Sequence, residues 1–140
     1  MSAGVLLVTH PGVGAALADT AAAIIGHNDL PLAHLSPQEP ESPQVTCTRG
    51  QSLIETLDQG VGVIILTDAF GATPSNIALA LGRTSANPVI AGLNLPMLLR
   101  VLNYLDLPLD VLAQKALSAA QDGILDVKAT EQSKQTRRHG

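Results

Sequence analysis

Three short apolar runs set what this chain can fold into. Val5-Leu6-Leu7-Val8 is unbroken, Val61 to Leu66 is interrupted only by Gly62, and Pro88-Val89-Ile90-Ala91 is shorter. None alternates apolar with polar residues. Each therefore predicts a strand covered on both faces, the habit of a parallel sheet between helices. A weaker fourth run spans Pro31 to Leu35.

Helical patterns fill the gaps. Val13, Leu17, Thr20, Ile24 and Ile25 recur at helical spacing, and Gly26 suits the position after a helix end. Ser52-Leu53-Ile54-Glu55 has the form of a capping box, with Gly60 closing the short helix it opens. Thr73-Pro74 reads as an N-cap and first helical position, for a helix running to Leu81. Asn94 precedes a helix carrying Met97, Leu98, Val101 and Leu102, and a last helix covers Leu109 to Gln121. Gly123 then leads into Ile124-Leu125-Asp126-Val127, a short strand candidate. The loop from Pro37 to Pro43 holds three prolines, and Lys128 to Gly140 reads as a mobile polar tail.

Strands alternating with helices predict an α/β fold with a doubly wound, mainly parallel sheet of about four parallel strands. The domain is expected over residues 1–128, with 129–140 as a disordered tail. The composition is 46% hydrophobic, enough for a real core. Lys and Arg number 8 against 12 Asp and Glu, a net charge of −4, with one Tyr, one Phe and no Trp. That balance argues against a nucleic-acid binder. No apolar run approaches the roughly 18 residues of a membrane-spanning helix. Gly4 to Thr9 reads as a strand rather than a signal peptide, since no basic segment precedes it. Cys47 is alone, which excludes an internal disulfide or a cysteine-built zinc site and favours a reducing, cytoplasmic setting.

A doubly wound sheet binds ligands at the carboxyl ends of its strands, where strand order reverses. The first strand ends at Thr9-His10 and the third at Thr67-Asp68. If those strands are neighbours, His10 and Asp68 face each other. Imidazole is a suitable phosphoryl acceptor near neutral pH, provided one nitrogen is free and the other holds its proton. A carboxylate secures that proton by accepting a hydrogen bond from it. Asp68 is placed for this. Phe70-Gly71-Ala72-Thr73-Pro74-Ser75-Asn76 leads into a helix whose free N–H groups attract anions. Gly71 would let the backbone approach, and the Thr73 and Ser75 hydroxyls would add donors. His27, His34 and His139 read as solvated, and Cys47 as packing. No residue set calls for a metal or nucleotide, and neither a P-loop nor G-x-G-x-x-G follows a strand.

Three blocks resemble the IIA domain of the mannose-type bacterial sugar phosphotransferase system. They are GVLLVTHPGVG from Gly4 to Gly14, GVIILTDAFGATPSNIA from Gly62 to Ala78, and VIAGLNLPML from Val89 to Leu98. With the last helix the likeness covers residues 2 to 128 or so. It implies that His10 is phosphorylated, that Asp68 is its carboxylate partner, and that Gly71 and Thr73 face the phosphate. It implies the small phosphocarrier HPr as donor and a IIB protein as acceptor, with peripheral association with a membrane transporter. It also implies a homodimer in which the C-terminal strand, here Ile124 to Val127, crosses antiparallel to the other subunit's sheet. The sequence departs from the pattern at Pro11, which follows the histidine in place of Gly, and at Ala72, in place of a second Gly. The best-known transporters continue into a IIB domain, so the alternative function is a free-standing regulatory IIA whose phosphorylation state controls a target. The phosphotransfer subunit of dihydroxyacetone kinases matches the Asp68 to Asn76 segment less well.

Overall fold

The computed structural model describes residues 1–139, with side chains as far as Arg137; Gly140 and the side chains of Arg138 and His139 lie outside the described residues. The elements follow in the order β1 (Gly4–Val8), α1 (Val13–Ile25), β2 (Leu32–Leu35), α2 (Pro43–Leu57), β3 (Val63–Thr67), α3 (Thr73–Arg83), β4 (Val89–Ala91), α4 (Leu95–Leu102), α5 (Leu109–Asp122) and α6 (Val127–His139). The strands form one sheet in the order β2-β1-β3-β4, and every pairing is parallel.

The unbroken apolar runs have the expected cause. Every residue of β1 and β3 is buried. Val5, Leu7, Ile64 and Leu66 pack against α1, α4 and α5 on one face. Leu6, Val8, Val63 and Ile65 meet Ile54 and Leu57 of α2 and Ile77, Ala78 and Leu81 of α3 on the other. Each fully buried aliphatic side chain contributes about 1.5–3 kcal/mol, so two central strands of this kind hold the three layers together. The doubly wound α/β architecture is the one the sequence predicts.

Local boundaries differ in two helices. α2 starts at Pro43, not at Ser52. Ser42 is its N-cap, its hydroxyl accepting the Val45 N–H at 3.3 Å, and Pro43 takes the first helical position, where a missing N–H costs nothing. Ser52 sits inside the helix, its hydroxyl donating back to the Thr48 carbonyl at 3.3 Å. At α3 the N-cap is Ala72, and Thr73 and Pro74 are the first helical residues.

The C-terminal segment is also corrected. Ile124 to Val127 forms no strand in the sheet of this chain. Ile124 and Leu125 are exposed in a connector, and Val127 opens α6, so the segment expected as a mobile tail is helical. Asp126 is the reason. Its carboxylate accepts the Ala129 N–H at 3.0 Å, and its carbonyl accepts the Thr130 N–H at 3.0 Å. That is helix capping, which outweighs the strand propensity of the neighbouring Ile and Val.

Candidate active site

From β1 the chain turns outward to β2, then passes back across β1 to reach β3. Strand order therefore reverses between β1 and β3, which lie side by side with Val8 opposite Thr67. Both strands end at that level. His10 and Asp68 follow directly, and the crevice forms between their loops.

A buried threonine sets the path of the first loop. The Thr9 hydroxyl accepts the Gly14 N–H at 2.8 Å and donates to the His10 carbonyl at 2.8 Å. Gly12 takes φ +89°, a left-handed conformation that side-chain-bearing residues rarely adopt, and α1 starts immediately after it. Pro11 disfavours a helical backbone at His10. His10 is thus locked at the strand end with its side chain half exposed.

Asp68 meets it. Oδ2 of Asp68 accepts the His10 backbone N–H at 3.0 Å and lies 2.8 Å from His10 Nδ1. The other oxygen accepts the Ala69 N–H at 3.1 Å. Burial pushes the Asp68 carboxyl up, but the His10 N–H, the His10 ring and its own backbone outweigh that and hold it below the ordinary aspartate value. An ionised carboxylate only accepts, so Nδ1 carries the ring proton and Nε2 keeps a free lone pair. The Asp68 side chain is 14% exposed and that of His10 51%: a largely shielded carboxylate holds a half-exposed imidazole.

The ring opens onto a cleft of about 480 Å³ lined by His10, Pro11, Pro37, Gln38, Glu39, Thr73 and Pro74. Thr73 lines it from the first turn of α3. No side chain caps that turn, and among the described residues the N–H groups of Thr73 and Ser75 have no partner. The expected site residues therefore separate. His10, Asp68 and Thr73 come together. Ser75 is buried and does not line the cleft, leaving its backbone N–H as its contribution to the helix start. Gly71 has φ +86° with no heavy atom within 4 Å of an added Cβ, so the turn geometry requires glycine there and close approach does not. Among the described residues no three His, Cys, Asp or Glu side chains gather as a metal site.

Sequence reasoning missed the far wall of the cleft. Pro37, Gln38 and Glu39 were expected only as connector, and no local pattern reveals that this loop faces His10. Ser36 also contributes, its hydroxyl donating to the His10 carbonyl at 3.4 Å. Phe70, two residues beyond Asp68, is 90% exposed, which no periodicity predicts.

The family described as PTS system fructose IIA component matches residues 4–108, a span that contains both strand ends and the whole cleft. The chain belongs to this family. As a IIA component it has a phosphotransferase-system role in sugar transport. This IIA domain is also similar to solved structures of the same kind. The mannose/sorbose-specific IIA subunit from Enterococcus faecalis is 20% identical, with 89% of this chain and 94% of that one covered and a TM-score of 0.78. The IIA protein associated with the fucose utilization operon of Streptococcus pneumoniae is 22% identical, covering 93% and 98%, with a TM-score of 0.78. An EIIA component from Streptococcus agalactiae is 22% identical, covering 90% and 98%, with a TM-score of 0.77. At such identities the likeness establishes the fold. Comparison with curated protein sequences finds no match. Among the described residues no helix is long and apolar enough to cross a membrane.

Proposed function

We propose that this IIA domain is a phosphocarrier that takes a phosphoryl group from phospho-HPr on Nε2 of His10 and passes it to a IIB protein in sugar uptake. The observation that carries the reading is the 2.8 Å contact between Asp68 Oδ2 and His10 Nδ1, because it leaves Nε2 as the nucleophile. In the step, the donor's N–P bond breaks as the Nε2–P bond forms, and the donor imidazole keeps the electron pair. The His10 ring becomes cationic while Nδ1 retains its proton, and the adjacent carboxylate offsets the charge. Thr73, with the free N–H groups at the α3 start and the Gly71 turn before them, receives the phosphoryl oxygens. Ser75 contributes its N–H rather than its hydroxyl. The domain supplies positioning and electrostatics and needs no covalent chemistry beyond phosphohistidine.

The reading places the chain in the cytoplasm, over residues 1–128 as the working domain. It also makes the chain a homodimer. Ile124, Leu125 and Val127 are 76%, 61% and 73% exposed, and β4 is a short, half-buried edge. Exposed apolar residues and an open sheet edge are surfaces that a second copy of the chain would cover. The test is intact-mass analysis after mixing with phosphoenolpyruvate, enzyme I and HPr, beside His10→Ala. One acid-labile phosphoryl adduct, lost in the variant, supports the carrier. An adduct that persists in His10→Ala sinks the assignment. Transfer onward to a IIB protein, or its failure with retained control of a target, separates transport from regulation.

A further inference from the structure

One arginine holds the loop that lines the cleft together with Thr73 and Pro74 of α3. The loop between β2 and α2 leaves the sheet at Leu35 and re-enters secondary structure at Pro43. Its tip, Pro37 to Glu39, lines the cleft together with His10. Arg49, on α2, reaches back and holds both ends of this loop. Its Nη2 donates to the Ser36 carbonyl at 2.9 Å, and its Nε donates to Glu41 Oε1 at 3.0 Å. Nη2 also lies 2.9 Å from the same Glu41 oxygen. The Thr46 hydroxyl donates to that oxygen at 2.7 Å, and within the loop the Glu41 N–H donates to the Gln38 carbonyl at 2.6 Å. At the near end, Ser36 is tied to the His10 carbonyl.

A planar guanidinium is the residue for this task, since it presents several donors in fixed directions. The Glu41 side chain is 14% exposed and that of Arg49 40%, so the pair is partly shielded from water. Holding the loop at residues 36 and 41 fixes three residues that line the cleft. Transfer between two histidines needs donor nitrogen, phosphorus and His10 Nε2 in line, so the donor's surface must rest on the cleft rim. A loop that is ordered before the encounter does not have to be ordered during it.

We propose that Arg49 and Glu41 are positioning residues for the His10 reaction, holding the Pro37–Glu39 loop as a preformed wall against which the protein phosphoryl donor docks. This rests on the phosphocarrier reading. The clamp acts on the docking of a protein partner and not on the nucleophile.

The experiment compares two donors on the full chain. Phospho-HPr must dock, whereas phosphoramidate is a small molecule that reaches His10 without a protein interface. Arg49→Met keeps the aliphatic stem and removes every donor; Glu41→Gln removes the charge. Both variants are expected to raise the KM for phospho-HPr about tenfold with kcat within about twofold, because what is lost is ordering before contact. Labelling by phosphoramidate is expected to stay within about twofold of wild type, and Arg49→Lys to recover part of the KM. An unchanged KM, or equal slowing with both donors, overturns the proposal while leaving His10 in place. If wild type is labelled by neither donor, the phosphocarrier reading itself fails, and the wall with it.

Discussion

Asp68→Asn tests the site most sharply, because the replacement keeps the shape and changes only what the two oxygens can do. The carboxylate accepts from two sides. One oxygen takes the His10 N–H and the ring, at 3.0 and 2.8 Å, and the other takes the Ala69 N–H at 3.1 Å. An amide has one acceptor oxygen. If that oxygen faces His10, the NH2 group confronts the Ala69 N–H. If the amide flips, the NH2 confronts the His10 N–H and forces Nδ1 to accept, which moves the ring proton to Nε2 and removes the nucleophile. Either way a donor meets a donor. The charge on the carboxylate is lost as well, at the moment the imidazole turns cationic.

A hydrogen bond to a charged group contributes about 1.5–3 kcal/mol, and the effect here falls mainly on the transition state. Losing about 3 kcal/mol slows transfer roughly a hundredfold. The assay is single-turnover labelling of His10 by phospho-HPr, read as acid-labile phosphate. Nitrogen-15 shifts of the His10 ring in the unphosphorylated variant report whether the proton has moved toward Nε2. A rate within threefold of wild type, with the ring proton still on Nδ1, refutes the assigned role of Asp68.

Thr9→Val removes the hydroxyl that joins His10 to α1 and leaves the Gly14 N–H buried without an acceptor. It is expected to cost about 1–3 kcal/mol in denaturant unfolding and also to slow labelling; an unchanged midpoint would show that the bond has no net value. Thr67→Val has the opposite sign, since the Thr67 hydroxyl is buried with no hydrogen-bond partner among the described residues. Thermal unfolding is expected to move upward, by about 1 kcal/mol, and a fall would mean that the hydroxyl has a partner in solution. Phe70→Ala leaves stability within about 0.5 kcal/mol, because the ring is already in water, and raises the KM for the protein donor; equal KM values would place docking elsewhere. Glu41 is held below the ordinary glutamate range, first by the Thr46 hydroxyl, against the effect of burial, and then by Arg49. A lowered folded-state value gives stability that is present above the unfolded glutamate range and lost as pH falls through the folded one. The gap in Tm between wild type and Glu41→Gln should therefore narrow as pH falls below the ordinary glutamate range, and a gap that widens in acid would contradict this.

What the sequence disclosed and what it hid divide along one physical line. The strands were legible because β1 and β3 are buried on both faces, and that condition writes itself into consecutive residues such as Val5 to Val8. His10 and Asp68 were legible although they lie far apart in the chain, because a topological rule places strand ends at the reversal point. Asn94 was legible as the residue before a helix, and it caps that helix by accepting the Met97 N–H three residues on. Asp126 carries the same kind of local signal toward Ala129, but the apolar neighbours Ile124, Leu125 and Val127 argued for a strand and masked it. The Ser52 pattern failed in the reverse direction: a start signal inside a helix already begun at Ser42 is silent, since the N–H groups it would satisfy are bonded within the helix.

The wall of the cleft belongs to neither class. Arg49 finds Ser36 and Glu41 only after α2 has folded back along the sheet, so its contacts depend on the fold and on no spacing rule. The chemistry of this domain is consequently written twice. The proposed reacting pair is fixed by where two buried strands end, and any chain with this topology has a place for it. Which protein reaches that pair is governed by loops whose geometry depends on side chains distant in sequence. Two such domains sharing the histidine and its carboxylate are therefore expected to differ in the β2–α2 loop and at the position of Phe70. Exchanging that loop between them should alter the KM for a protein donor and spare labelling by a small one.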